Sequence, residues 1–249
     1  MKTGPEGSCT HDGTWKSALS DLADQDNLRK LRKKTGYAPV PAVGAKLKRR
    51  GLVFYNQEFK EYPIPFMRSD VSVVKRSQRY FHINLQETPV QCGAHVNTSG
   101  LGSVIELMFA GILFFLPVKF SFGRKFLMKY LEFFSAGRFT KKGSIQKQMD
   151  GTTFTMTFFG EGYSEGQHPQ NGKPSVKIRN EVKGPEPGYV ATPIAMVQAA
   201  ASLPEDEACL PKEGGVYSPG AAFSKTKLID HLNKRGVEFS VISKPEVRT

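Results

Sequence analysis

A chain of 249 residues with 39% hydrophobic side chains can bury a core in one large domain or two small ones. Its net charge of +12 favours anionic partners, but no zinc-finger spacing or RNA-binding signature accompanies the charge, so nucleic acid is not an expected partner. The three cysteines, Cys9, Cys92 and Cys209, form no C-x-x-C pair, which argues against a disulfide scaffold and for a reducing compartment.

The first residues form neither an apolar signal peptide nor a transit peptide. A start at Met1 inside what reads as a domain points to truncation, an alternative start or an incomplete gene model. Trp15 to Lys34 is predicted as one helix. Trp15, Leu19, Leu22 and Ala23 share a face, Leu28 and Leu31 continue it less regularly, and Thr14 is the expected N-cap. Arg29, Lys30, Arg32, Lys33 and Lys34 load its far end, where cations suit the helix dipole. Pro39 and Pro41 break the chain, and Lys46, Lys48, Arg49 and Arg50 form a second basic group. Leu52 to Tyr62 reads as a strand with Val53, Tyr55, Gln57 and Phe59 on one side. Ser69 or Asp70 is expected to cap a helix from Val71 to about Ile83. Val90, Cys92, Ala94 and Val96 alternate as a half-buried strand does, and Asn97-Thr98-Ser99 is a glycosylation sequon that a cytosol-facing protein would leave unused.

Farther on, Phe154, Met156 and Phe158 line one face of a strand, and Val176, Ile178 and Val182 line one face of the next. Lys177, Arg179, Glu181 and Lys183 point the other way, the pattern of an antiparallel sheet wet on one side. The loop from Tyr163 to Pro174 between them is polar. Ala191 to Ser202 is predicted as an Ala-rich helix with Pro193 in its first turn. Ser224 caps a last helix, Lys225 to Lys234, which Gly236 ends, and Val237 to Ile242 is a final short strand. The fold class expected from this order is α+β: an antiparallel or mixed β-sheet covered by helices, with an apolar helical hairpin at about residues 104–139.

That hairpin is unusually rich in Phe, Leu, Met and Ile. Its first arm, Val104 to Val118, carries one acid, Glu106, and Pro117 near its end. A spanning helix needs about 20 apolar residues, so this arm reads as too short to cross a bilayer. In the second arm, Phe126 to Phe139, Phe126, Leu127, Tyr130, Leu131 and Phe134 face one way, while Arg124, Lys125, Lys129 and Glu132 interrupt. Arg138, Lys141, Lys142 and Lys147 lie just beyond the most apolar stretch. An apolar helix, a proline turn and a basic amphipathic helix suit insertion into one leaflet or a lipid monolayer. The lipid-surface candidates are Phe109, Phe114, Phe115, Leu116, Phe126 and Phe134. A helix pair buried under a sheet fits the same composition equally well.

Sites for chemistry are few. A dinucleotide site needs a strand, then G-x-G-x-x-G, then a helix. Gly160, Gly162 and Gly166 have the wrong spacing and precede the loop sequence QHPQNGKP. Gly100 and Gly102 have better surroundings, but the third glycine position holds Ile105. Both groups read as tight turns, so no cofactor is expected in this chain. His11, Asp12, Gly13, Thr14, Lys16 and Ser17 form a turn before a helix, whose N-terminal N–H groups could meet an anion. Plain capping accounts for the same residues. His82, His95, His168 and His231 are scattered without metal-ligand spacing, and no Ser-His-Asp or Cys-His arrangement is readable.

Six runs carry a resemblance: GPEGSCTHDGTWKSAL (4–19), DQDNLRKLRKK (24–34), GAKLKRR (44–50), IPFMRSDVSVVKRSQRY (64–80), KGPEPGYVATPIAMVQAA (183–200) and GGVYSPGAAFSKTKLIDHLNKRGVEFSVI (214–242). In order and spacing they resemble the part of a saccharopine dehydrogenase-like oxidoreductase downstream of its Rossmann domain. The likeness runs from Gly4 to Val241, so residues 1–249 are expected to form a C-terminal substrate and oligomerisation-type region without a dinucleotide-binding domain. For the full-length family the resemblance implies an oxidoreductase using NAD or NADP, with a lipid-related substrate; some relatives are enoyl reductases of glycolipid synthesis. For this chain it implies inactivity alone, a Rossmann domain as the missing partner, and a homo-oligomer as a further partner. It also implies residence on a lipid droplet or other intracellular membrane, cytosol-facing, with the mitochondrion as another location, and it favours the lipid reading of 104–139. Gly13, Thr14 and Ser17 are then expected beside the nicotinamide, with Tyr189 of the motif GYVATP reaching the same cleft. The last helix is expected to pack on the Rossmann domain, leaving Leu228 and Leu232 under-covered. The rival reading is a non-enzymatic lipid-droplet or membrane platform.

Overall fold

The computed structural model describes residues 1–34, 36, 39–47, 51, 53–57, 60–66, 70–98, 100–167, 169 and 172–247. Expectations placed on Lys48, Arg49, Arg50, Leu52, Phe59, Ser69, Ser99 and His168 lie outside the described residues. The fold is α+β, with antiparallel sheets and one long apolar helix.

The first helical region breaks where a single helix was expected. Strand β1 (Thr10–His11) runs into α1 (Asp12–Ala23), and α2 (Gln25–Lys34) follows. His11, not Thr14, is the N-cap: its backbone is extended at φ −65°, ψ 148°, and its ring Nδ1 accepts from the Gly13 N–H at 3.2 Å. Asp24 separates the helices at φ −100°, ψ 9°, with its carboxylate accepting from Asn27 at 2.6 Å. Short Asp and Asn side chains offer the backbone this local alternative to continuing a helix. Every residue of α2 is exposed.

After β2 (Tyr62–Pro65), α3 (Asp70–Asn84) and β3 (His95–Thr98) comes α4 (Leu101–Val118), then α5 (Ser121–Lys129), α6 (Leu131–Phe134) and β4 (Phe139–Thr140). Among the described residues, the strands expected at 52–62 and 90–96 do not form as placed: β2 shares only Tyr62 with the first, and β3 only His95 and Val96 with the second. Only these segments pair, antiparallel from Tyr62↔Thr98 to Pro65↔His95. Trp15, Leu19, Val118, Leu127 and Leu131 form the first core, with Leu22, Phe114, Phe134 and Phe139 packed on it. The Trp15 ring meets Phe114 edge-on at 4.7 Å, and its Nε1–H donates to the Leu127 carbonyl at 3.2 Å. Burying the large ring with its polar end satisfied suits Trp. Pro117 sits in the last turn of α4 rather than between the arms. The reversal into α5 brings Gly123 against Pro117, where any Cβ would overlap the Pro117 carbonyl.

A short helix α7 (Gln146–Asp150) leads to the main sheet of β5 (Thr153–Gly162), β6 (Val176–Pro185) and β7 (Glu238–Val247), all antiparallel in the order β5-β6-β7. Pairs such as Met156↔Val182 and Val182↔Phe239 place the apolar side chains on one face. Helices α8 (Thr192–Glu205), α9 (Pro219–Phe223) and α10 (Leu228–Asn233) complete the chain, and Pro193 lies in the first turn of α8. Val182, Ala191, Leu232 and Val237 form the second core, with Phe154, Ile194, Ala195 and Leu228 packed on it. The expectation that Leu228 and Leu232 would be under-covered is therefore overturned: α8 and the sheet cover them. The helix expected over Lys225–Lys234 with Ser224 as cap starts only at Leu228, after Lys227, because the turn before it is held by the Lys227 N–H donating to Asp206 at 3.0 Å and the Leu228 N–H to Thr226 at 3.3 Å.

Candidate functional site

The second core carries Tyr189 toward the first. Just after β6, Glu186 is buried and its carboxylate accepts from the N–H groups of Gly188, at 3.0 Å, and Tyr189. This fixes a wide turn, Pro187–Ala191, ahead of α8. Tyr189 then reaches β1, where its phenol oxygen accepts from the His11 N–H at 2.8 Å. Gly143 makes room: at φ 71° it adopts a left-handed backbone, and a Cβ there would lie 3.0 Å from the Tyr189 hydroxyl. The parallel pairing of β1 with β4, Thr10↔Phe139 and His11↔Thr140, holds the other wall.

Between them opens a cleft of about 540 Å³ lined by Thr10, His11, Gly13, Thr14, Ser17, Gly188 and Tyr189. The fold thus brings Gly13, Thr14, Ser17 and Tyr189 around one space, although Tyr189 is far from the others in sequence. Among the described residues, no protein group bonds the Thr14 or Ser17 hydroxyls, and both side chains are exposed. Asp12 is buried below the cleft, paired with Lys16 at 2.7 Å. The hydrogen bond from Lys16 pulls its carboxyl below the usual range; burial opposes this, and the charges of Lys16, His11 and Lys141 add to it. His11 Nδ1 also lies 3.0 Å from Asp12 Oδ1. A bare Nδ1 caps Gly13, whereas a protonated Nδ1 would turn to Asp12.

The apolar candidates divide into two sets. Phe109, Phe115, Leu116 and Phe126 are exposed. Phe114 and Phe134 are not surface residues: both are half-buried and packed on the first core. Helix α4 begins three residues before the expected arm, and its 18 residues are long and apolar enough to cross a membrane, which corrects the expectation that the arm was too short. Of its side chains only Val104 and Val118 are buried.

Neither glycine group fits a dinucleotide. Gly160 and Gly162 lie inside the β5–β6 ladder, and a Cβ at Gly160 would come within 2.6 Å of the Ile178 side chain. Gly100 and Gly102 open α4, but the strand before them belongs to an antiparallel pair, not a βαβ unit. Among the described residues, no three His, Cys, Asp or Glu side chains gather to hold a metal. Burial pushes the Cys92 thiol up, with Lys75 opposing, so it is not a ready thiolate.

The structure also assembles a group the sequence did not show. His231 lies 3.5 Å from the Ser202 hydroxyl and 3.6 Å from Glu205. The hydroxyl is fully buried in α8, out of reach of any substrate, so the group clamps α10 to α8.

Comparison with known proteins gives a consistent relation. A saccharopine dehydrogenase-like oxidoreductase of Mus musculus is 60% identical over 247 residues, covering 99% of this chain and 58% of that protein. A probable mitochondrial saccharopine dehydrogenase-like oxidoreductase of Arabidopsis thaliana is 31% identical, covering 93% of this chain and 56% of its own length. A lipid droplet localized protein of Caenorhabditis elegans is also 31% identical, covering 98% of this chain and 59% of its own length. The chain therefore spans somewhat over half the length of the curated relatives it matches. No family model and no solved structure matches it. The chain belongs to the saccharopine dehydrogenase-like oxidoreductase family.

Proposed function

We propose that this chain is the substrate-side part of an NAD(P)-dependent oxidoreductase that works at a lipid surface, and that it has no turnover alone. The observation carrying this reading is the position of α1. One face presents Thr14 and Ser17 to the cleft, and the other presents Trp15 and Leu19 to the core beneath α4. A cleft edged by the Thr14 and Ser17 hydroxyls and an exposed apolar helix are thus separated by one helix, roughly 10 Å thick. An amphiphile could place its polar end among Thr14, Ser17 and Tyr189 while its chain stayed in lipid. The nicotinamide nucleotide, which would accept or supply hydride, is assigned to a separate Rossmann domain, since the glycines here do not fit it. Residence on lipid droplets or another intracellular membrane agrees with the name of the nematode relative, and the plant relative's name keeps the mitochondrion in view.

The fold also bears on how α4 meets lipid. Chain before and after α4 is tied together: Ser77 and Ser218 hydroxyls bond at 2.7 Å, the Ala45 N–H donates to Tyr163 at 2.9 Å, and β1 pairs with β4. Crossing a hydrocarbon layer of about 30 Å would part all of these. Insertion lengthwise into one leaflet or a droplet monolayer keeps them.

Titrating the purified chain with NADH and NADPH tests the reading. No saturation through the micromolar range is expected, and saturable micromolar binding would overturn the division of labour. The exposed face of α4 equally favours a non-enzymatic lipid platform. In a full-length relative, replacing the residues that match Thr14, Ser17 and Tyr189 by Ala, Ala and Phe should lower turnover if the first reading holds and change nothing on the platform reading.

A further inference from the structure

We propose that α2 is a second lipid contact, driven by charge, which makes attachment selective for anionic phospholipid. This rests on the lipid-surface reading above and adds a partner chemistry that α4 does not provide. Five of the ten residues of α2 are cationic and one, Asp26, is acidic. Leu28 and Leu31 form a short stripe on one face, 43% and 56% exposed. At 100° per residue, Arg32 and Lys34 flank that stripe, while Asp26 falls on the opposite side. A helix with a small apolar stripe and cations along its borders is built to lie on a negatively charged interface, its long basic side chains reaching to headgroups as the leucines dip in. The protein leaves both leucines exposed on the side that these cations border.

The location supports the same partner. Leu22, near the end of α1, packs on the core that also holds Phe114 of α4. The chain turns at Asp24 and α2 begins at Gln25, three residues after Leu22. Packed on the same core through Leu127, α5 carries Arg124, Lys125 and Lys129, and Arg124 donates to the Val118 carbonyl at 2.9 Å. One basic helix therefore touches α4 directly, and the other reaches it through α1. The expected surface is an apolar helix attended by two basic ones. Such an arrangement inserts into any loosely packed leaflet but is held more tightly where the headgroups are anionic.

The test is flotation of the whole chain with two vesicle preparations, phosphatidylcholine alone and an equimolar mixture with phosphatidylserine, at low and high salt. Wild type should bind both and bind the mixture more tightly, and high salt should remove the difference but not the basal binding. A basic residue near an anionic surface is worth about fivefold in partitioning, so Arg32→Gln with Lys34→Gln should lower binding to the mixture by about 25-fold. Binding to phosphatidylcholine should hold. Lys33→Gln, on the face opposite the leucines, should do far less. Every residue of α2 is exposed, so the fold is expected to hold, and circular dichroism checks it. Equal wild-type binding to both preparations would overturn the role of α2 while leaving α4 in place. Absence of binding to either would overturn the lipid-surface reading together with this one. Calcium-dependent capture by calmodulin without any phosphatidylserine effect would replace lipid by a protein partner.

Discussion

Helices α4 and α8 are both apolar in sequence, and the fold treats them oppositely. In α8, Ile194, Ala195, Gln198, Ala199, Ala201 and Ser202 are buried or half-buried, a broad stripe at the 3.6-residue period that Ala191, just before the helix, extends. Its outward side carries Met196, Val197 and Leu203, spaced among Thr192, Pro193, Ala200, Pro204 and Glu205. In α4 the protected positions are Ser103, Val104, Gly111, Phe114, Pro117 and Val118, a narrow line, while Ile105, Met108, Phe109, Ile112, Leu113, Phe115 and Leu116 stand exposed. A helix apolar on every side is one whose other sides meet something besides water. Periodicity, more than apolar content, tells which side is protein.

The sharpest way to break this contrast is on the outward face of α4. Phe109→Ser, Ile112→Ser and Leu116→Ser together remove three exposed side chains worth about 1.5 kcal/mol or more each when buried. Vesicle or droplet binding should fall by about three orders of magnitude. The urea midpoint should barely move, since exposed substitutions change stability by about 0.5 kcal/mol or less. Replacements that include Phe114 would confuse the two readouts, because that ring supports Trp15. A triple variant that still floats with lipid would return α4 to an ordinary protein contact.

The inward side predicts the reverse. Leu127 is fully buried beneath Val118 and Trp15. Leu127→Ala should cost about 2–5 kcal/mol by loss of burial and cavity formation, read as a shift in urea midpoint. Lipid binding of the fraction still folded should persist. A cost below about 1 kcal/mol would mean that the first core is not packed as described.

Much of the second half was legible because its signals are local. The β5–β6 pair follows period-two alternation, and α8 follows a clean helical stripe with proline at its start. The first half was harder. Nothing in a local window distinguishes Thr14 from His11 as a cap, since the choice depends on an imidazole lone pair and on Tyr189, 178 positions away. The strands expected near 52–62 and 90–96 gave way to pairing at 62–65 and 95–98, because a strand exists only where a partner pairs with it. Of the apolar candidates, Phe114 and Phe134 turned inward because Trp15 meets the one and the first core the other, tertiary facts invisible to composition. The group Gly13, Thr14, Ser17 and Tyr189 could be named from the resemblance, but their convergence on one cleft required the fold.

The smallest expected effect lies at that cleft and concerns acid. Asp12 is held below its ordinary value of 3.8, chiefly by the Lys16 hydrogen bond. A folded-state value under the unfolded one means the pair stabilises the fold fully above pH 3.8, and that this contribution fades as pH falls through the lower, folded value. Asp12→Asn keeps the shape and removes the charge, so it should lower stability at neutral pH and lose that disadvantage in acid. Urea midpoints of both proteins, compared at neutral pH and below pH 3.8, should therefore converge as pH drops. The comparison cancels the general repulsion of a chain with net charge +12, which weakens both proteins alike. A constant gap at all pH values would show that Asp12 matters by shape or capping alone. A gap widening in acid would place its folded-state value above the ordinary one, with burial rather than Lys16 in control.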